Sequence, residues 1–228
     1  MTCPTTDSVC GGAEPLLRDV VARLSATHGP QHWWPAETPF EVMVGAVLTQ
    51  NTAWQNVERA LKRLRARLPL QADALLALPE SELADAIRPA GYFNVKAKRL
   101  RAFCTALIDA GGESALAALD TTALRRLLLD IHGVGPETAD DILLYAFHRP
   151  VFVVDAYTRR LFERLGWLTG AEGYEAVRLE FEQAVGPDLA LFKELHALIV
   201  RHGKATCRAR KPCCDRCCLA EICPSERT

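Results

Sequence analysis

Four cysteines within the last 22 residues, Cys207, Cys214, Cys217 and Cys223, follow the spacing C-x6-C-x2-C-x5-C. Loops of that length bring four thiolates around one metal centre without a long element between them. A [4Fe-4S] cluster takes four cysteine ligands, and zinc is the competing ion. Zinc ribbons hold two C-x2-C pairs about a dozen or more residues apart, whereas this run has a single C-x2-C, which favours iron and sulfide. Cys213 and Cys218 sit directly beside two of these ligands. Between Arg201 and Arg216, six Lys or Arg residues surround the first three cysteines, against one acid, Asp215. A basic surface beside a rigid metal loop suits phosphate, and Arg208, Arg210 and Lys211 are its candidates.

A second pattern is the run His132-Gly133-Val134-Gly135-Pro136, between two amphipathic segments in TTALRRLLLDIHGVGPETADDILLYAF. Two glycines permit a tight turn with positive φ, and Pro136 suits the first position of the next helix. The backbone N–H groups of Gly133, Val134 and Gly135 would then point outward as an anion-binding nest. Just beyond, the apolar run VFVV ends at Asp155, which precedes YTRRLFERL. Aspartate is a favoured N-cap, so a helix start is expected there.

The elements that must hold these groups are helical. PLLRDVVARL, FEVMVGAVL, VERALKRLRARL, ALRRLLLDI, ADDILLYAF, YTRRLFERLGW and YEAVRLEFEQAV repeat apolar residues at steps of three and four. Gly29-Pro30, Pro35, Pro79, Pro89-Ala90-Gly91, Gly111-Gly112 and Gly186-Pro187 separate them. The expected fold is all-α, with about ten helices judged by that periodicity. A chain of 228 residues that is 49% hydrophobic can bury one large core or two small ones. Nothing approaches the ~18 consecutive apolar residues of a membrane helix, and MTCPTTDSVCGG has no charged-then-apolar leader. A cytoplasmic protein is therefore expected, in which nine cysteines mean metal more readily than disulfides. Cys3, Cys10 and Cys104 suggest no role. The net charge of −1 gives no global sign of a nucleic-acid partner.

Taken together, HGVGPETAD, VVDAYTRRLFERLG, HGKATCRARKPCCDRCCLAEIC, VLTQNTAWQNVERAL and GYFNVKAKRL resemble the endonuclease III family, the helix-hairpin-helix DNA glycosylases. The resemblance spans most of residues 38–223. It implies a six-helix domain at 38–148 and an iron–sulfur cluster domain from 1–37 and 149–228. It further implies a cleft between them for double-stranded DNA with a damaged base, and a nucleoid-associated monomer. Asp155 falls at the family's catalytic aspartate. Gln50 and Asn51 match its inserted amide, and Tyr92 its wedge against the unpaired base. Lys96 and Lys98 match candidate contacts to the DNA backbone.

The chain departs from the family at Glu137. Bifunctional members carry a lysine there, whose amine attacks C1′ and forms a Schiff base. Glutamate cannot, so a monofunctional glycosylase with weak or absent AP lyase activity is expected, Glu137 lying close enough to bear on Asp155. Trp33-Trp34-Pro35 followed by PFEVMVGAVLTQNT further resembles the 3-methyladenine branch. Alkylated purines are cationic, and stacking on Trp33, Trp34 and Phe40 would favour them. Paired tryptophans are also common core anchors. The alternatives are a bifunctional glycosylase/AP lyase acting on oxidised pyrimidines and a nearly inactive damaged-DNA-binding paralogue.

Overall fold

Helical periodicity and its breakers become twelve α-helices among the residues described in the computed structural model, 10–226, with side chains from 14 to 225. They are α1 (Cys10–His28), α2 (Pro39–Leu48), α3 (Trp54–Arg65), α4 (Ala72–Ala77), α5 (Glu80–Ala86) and α6 (Phe93–Asp109). After them come α7 (Gly112–Ala118), α8 (Thr121–Asp130), α9 (Pro136–Asp141), α10 (Ala156–Arg164), α11 (Tyr174–Val185) and α12 (Leu189–Ala205). A π-helical turn at Ile142–Ala146 continues α9, and short 3-10 turns lie at Arg88–Ala90 and along the C-terminal tail. No strand forms among the described residues, so the fold is all-α. Cys3 lies outside those residues, as does the side chain of Cys10. None of the described helices is long and apolar enough to cross a membrane.

Two compact units result: Trp34–Arg149, and a second that runs to Trp33 and resumes at Pro150. In the first, α2 is apolar except at Glu41, which pairs with Arg65, and is buried from Phe40 to Leu48, which makes it a central helix. Thr38 caps it by accepting from the Glu41 N–H at 3.1 Å, with Pro39 at its first position. Gly45 lets the Trp34 indole lie against α2, and Trp34 in turn meets Trp54 and Tyr145 with ring centroids 4.9 and 5.3 Å apart. The second unit gathers around Phe152, Phe162, Phe181 and Phe192, with Phe152 stacked on Phe181 at 4.3 Å.

Lys96, expected on the DNA backbone, is instead 1% exposed. Its Nζ donates to Leu48 O at 2.9 Å and Ala90 O at 2.8 Å, meeting carbonyls that the ends of α2 and of the 3-10 turn leave unpaired. An ammonium spent this way is unavailable to phosphate. Burial, reinforced by the Arg99 charge, pushes its pKa down to about 8. The unfolded chain, with an ordinary lysine near 10.5, therefore binds more protons between those values, so stability rises with pH across that window. Wild type should gain on the order of 3 kcal/mol from pH 8 to 10.5 through this group. Urea unfolding should show Lys96→Met lacking that gain; identical slopes in the two proteins would refute it.

Candidate functional site

The hairpin joins α8 to α9. Asp120 caps α8 by accepting from the Ala123 N–H at 2.8 Å. The turn closes where the Val134 N–H donates to Ile131 O at 3.0 Å, so Val134 is not an outward donor. Gly133 has φ +87°, and a Cβ there would collide with the Arg99 stem. Gly135 departs from the expectation of a second positive φ: it is extended, at φ −96°, with open space where a Cβ would stand. No side chain caps α9, and Pro136 at its first position has no N–H that would need a cap. Arg125 grips the fully buried Asp140 through two hydrogen bonds of 2.7 and 3.1 Å, joining α8 to α9. Glu137 is exposed in the first turn of α9.

Asp155 belongs to the other unit. It caps α10, its Oδ1 accepting from the Thr158 N–H at 2.7 Å, and only 9% of the residue is exposed. His196 of α12 is also buried, with Nε2 3.7 Å from Asp155 Oδ2. Burial alone would push the carboxyl up. The His196 imidazole and the Thr158 amide outweigh it and hold Asp155 below the ordinary carboxylate range. The group is thus an ionised carboxylate at neutral pH, fixed in direction by its cap.

The same helix carries the cysteine-rich tail at its far end. Arg164 Nη1 donates to Cys207 Sγ at 3.1 Å and to Arg208 O at 2.9 Å, and Arg160 Nε donates to Cys207 O at 2.9 Å. Cys207, Cys213, Cys214, Cys217 and Cys223 line a cavity of about 50 Å³ whose other walls include Leu161, Leu165 and Leu219. His202 Nε2 is 3.5 Å from Cys217 Sγ, and its Nδ1 is 3.1 Å from His28 Nε2. Burial pushes His202 down to about 4 and the Cys217 thiol up to about 11. Among the described residues, no three His, Cys, Asp or Glu side chains are grouped as a single metal ion requires. Four thiols at an apolar cavity nevertheless suit a cluster, in which each cysteine meets a different iron.

A profile of HhH-GPD superfamily base excision DNA repair proteins matches residues 44–187. This chain belongs to that superfamily and is a base excision repair DNA glycosylase. A protein of Methanocaldococcus jannaschii, provisionally named a DNA repair glycosylase, is 48% identical over 87% of this chain and 91% of its own. An endonuclease III solved in a non-covalent complex with DNA has the same fold, with a TM-score of 0.82, 24% identity and coverage of 94% of this chain and 96% of its own. An H. pylori 3-methyladenine DNA glycosylase (MagIII) bound to 1,N6-ethenoadenine is 31% identical, with a TM-score of 0.72 and coverage of 84% and 97%.

Within this HhH-GPD glycosylase, the residues singled out by sequence meet different fates. Tyr92 is held in the left-handed region at φ 45°, ψ 33° and is 70% exposed, a strained and costly placement for an aromatic ring. Asn51 is likewise at positive φ and exposed. Gln50 is tied inward, its Nε2 donating to Gly133 O and Thr138 Oγ1 at 3.0 Å each. Phe40, expected to stack on the base, is instead only 3% exposed, in the core of its unit. Trp34 anchors on α2, and Trp33 is half-buried in the other unit. Lys98, Arg210 and Lys211 are exposed; Arg208 is exposed too but donates to Cys213 Sγ at 2.8 Å. Cys104 is buried inside α6, its thiol pushed up to about 12. His196, Arg99 and Arg164 were invisible to motif reading, since their partners lie far away in sequence.

Because asparagine caps a helix as well as aspartate does, Asp155→Asn should melt within a few tenths of a kcal/mol of wild type. Asp155→Ala should lose about 1 kcal/mol. Equal melting of the Ala variant and wild type in thermal denaturation would show that the cap contributes nothing.

Proposed function

We propose that this glycosylase is monofunctional and removes alkylated purines flipped out of duplex DNA. Glu137 carries the reading: where bifunctional relatives supply a lysine, the hairpin has a carboxylate, which cannot form an imine. Likeness to the MagIII glycosylase supports the substrate class. An alkylated purine is already cationic, so it takes the bonding pair and departs neutral, leaving the positive charge on the sugar, and the protein need not protonate it. The half-buried indoles of Trp33 and Trp34 are the stacking candidates for a cationic base.

The chemistry falls to Asp155. Its ionised carboxylate stabilises the positive charge that develops on the sugar as the C1′–N bond breaks, and orients the water that completes hydrolysis. The first turn of α9 and the backbone N–H groups of Gly133 and Gly135 hold a phosphate, the Val134 N–H being spent on closing the turn. Tyr92 and Asn51 fill the space left by the flipped nucleotide. Lys98, Arg210 and Lys211 add salt-dependent affinity without sequence preference. Cys207, Cys214, Cys217 and Cys223 hold a [4Fe-4S] cluster, which when bound cross-links the tail through four thiolates.

Three measurements test this. Duplexes carrying a 3-methyladenine-type lesion, an oxidised pyrimidine or an abasic site are incubated with and without alkali. Strand breaks should appear only after alkali, and fastest from the alkylated duplex, with Asp155→Asn slower by about 10²–10⁴-fold. A good yield of borohydride-trapped adduct would return the protein to the bifunctional class. Gly135→Val, which has open space and an ordinary φ, should fold as wild type yet bind DNA at least about tenfold more weakly; unchanged affinity would remove the hairpin from the interface. Purified protein should contain about four irons, and Cys217→Ser far fewer. One zinc and no iron would replace the cluster by a zinc site.

A further inference from the structure

Three hydrogen bonds in the Trp34–Arg149 unit converge on one face of α6, and two more continue from it to the hairpin. On α6, Lys96 and Arg99 stand three residues apart, and so lie on the same side of the helix. Lys96 Nζ holds Leu48 O, two residues before Gln50, and Ala90 O, two residues before Tyr92. Arg99 Nη1 donates to Gln50 Oε1. Gln50 Nε2 then donates to Gly133 O, in the hairpin's glycine turn, and to Thr138 Oγ1, in the first turn of α9. The Arg99 stem also lies where a Cβ of Gly133 would stand. Arg99 Nε is buried and makes no hydrogen bond among the described residues, a costly arrangement that packing alone does not explain.

We propose that Arg99 and Gln50 are positioning residues: a brace that fixes the register between the phosphate-holding hairpin and the two residues that enter the stack, Asn51 and Tyr92. The brace rests on the functional reading above. Asn51 follows Gln50 directly, and Tyr92 begins the helix on which Arg99 sits. The amide of Gln50 therefore serves the protein, leaving Asn51 to meet DNA. Loss of the brace leaves the hairpin formed, because the Arg125–Asp140 pair and the buried Val134 still hold it. Grip on undamaged DNA survives, but the wedge arrives displaced, and a displacement of about 1 Å costs about a hundredfold in rate.

The test is single-turnover base release at saturating enzyme, alongside affinity for an undamaged duplex and a thermal melt. Arg99→Ala and Gln50→Ala should each slow release about 10- to 100-fold while undamaged-duplex affinity falls less than about threefold. Gln50→Glu, which keeps the shape but cannot donate to Gly133 O, should behave like Gln50→Ala. Arg99→Lys should recover part of the rate. The double alanine variant should be no more than about threefold slower than the slower single, because both residues act through one connection. Wild-type rates in both singles, or multiplicative losses in the double, would overturn the brace. So would affinity falling in step with rate, which would make the two residues ordinary DNA contacts. If Tyr92→Ala and Asn51→Ala release base as fast as wild type, the functional reading fails and the brace falls with it.

Discussion

An α-helix leaves its last carbonyls unpaired, and a chain built from many short helices multiplies that liability. Here long cations from neighbouring elements meet those groups. Lys96 takes Leu48 O and Ala90 O; Arg101 takes Leu76 O and Leu78 O; Arg149 takes Ala117 O and Leu119 O. In the other unit Arg160 takes Gly203 O at the end of α12, and Arg160 and Arg164 also hold the loop carbonyls that follow, at Cys207, Arg208 and Ala209. These contacts tie helix ends together where apolar faces alone would let them slide. A charged donor to a buried carbonyl is stronger than a neutral one, and leaving that carbonyl unmet is costly.

That use of cations divides the basic residues into two populations. Those turned inward set the spacing between helices and are lost to DNA. The exposed remainder includes Lys98, Arg210 and Lys211, which in the proposed function supply affinity without direction. Direction comes from backbone geometry instead: a positive φ at Gly133, an uncapped α9 and a left-handed Tyr92. Strain of this kind persists only where its surroundings fix it, and the bonds from α6 do so.

In the other unit, α10 links two chemistries. Its N-terminus fixes Asp155, and its last turn reaches Cys207 through Arg160 and Arg164. α12 repeats the arrangement, with His196 near Asp155 and His202 near Cys217. The carboxylate stays ionised in a buried place because an imidazole and a backbone amide favour its charge more than burial opposes it. The cysteine-rich tail is thus braced against the same two helices that orient the candidate catalytic group.

Local signals in the sequence were sufficient for the all-α class, the glycine hairpin, the cap at Asp155 and the cysteine-rich tail. Each is set by residues within a few positions of one another, where periodicity, φ preference and capping act directly. Family resemblance carried the superfamily, because its motifs were spread along most of the chain. The sequence alone misjudged Lys96, whose lysine type says nothing about whether its ammonium meets water or a helix end 48 residues away. It also treated Gln50 and Asn51 alike, and gave no sign that Phe40 would be buried. Only the tertiary structure separated those cases, and only it paired Arg99 with Gln50 or His196 with Asp155. Burial and hydrogen-bond partners across long sequence separations arise from packing, which no local pattern encodes.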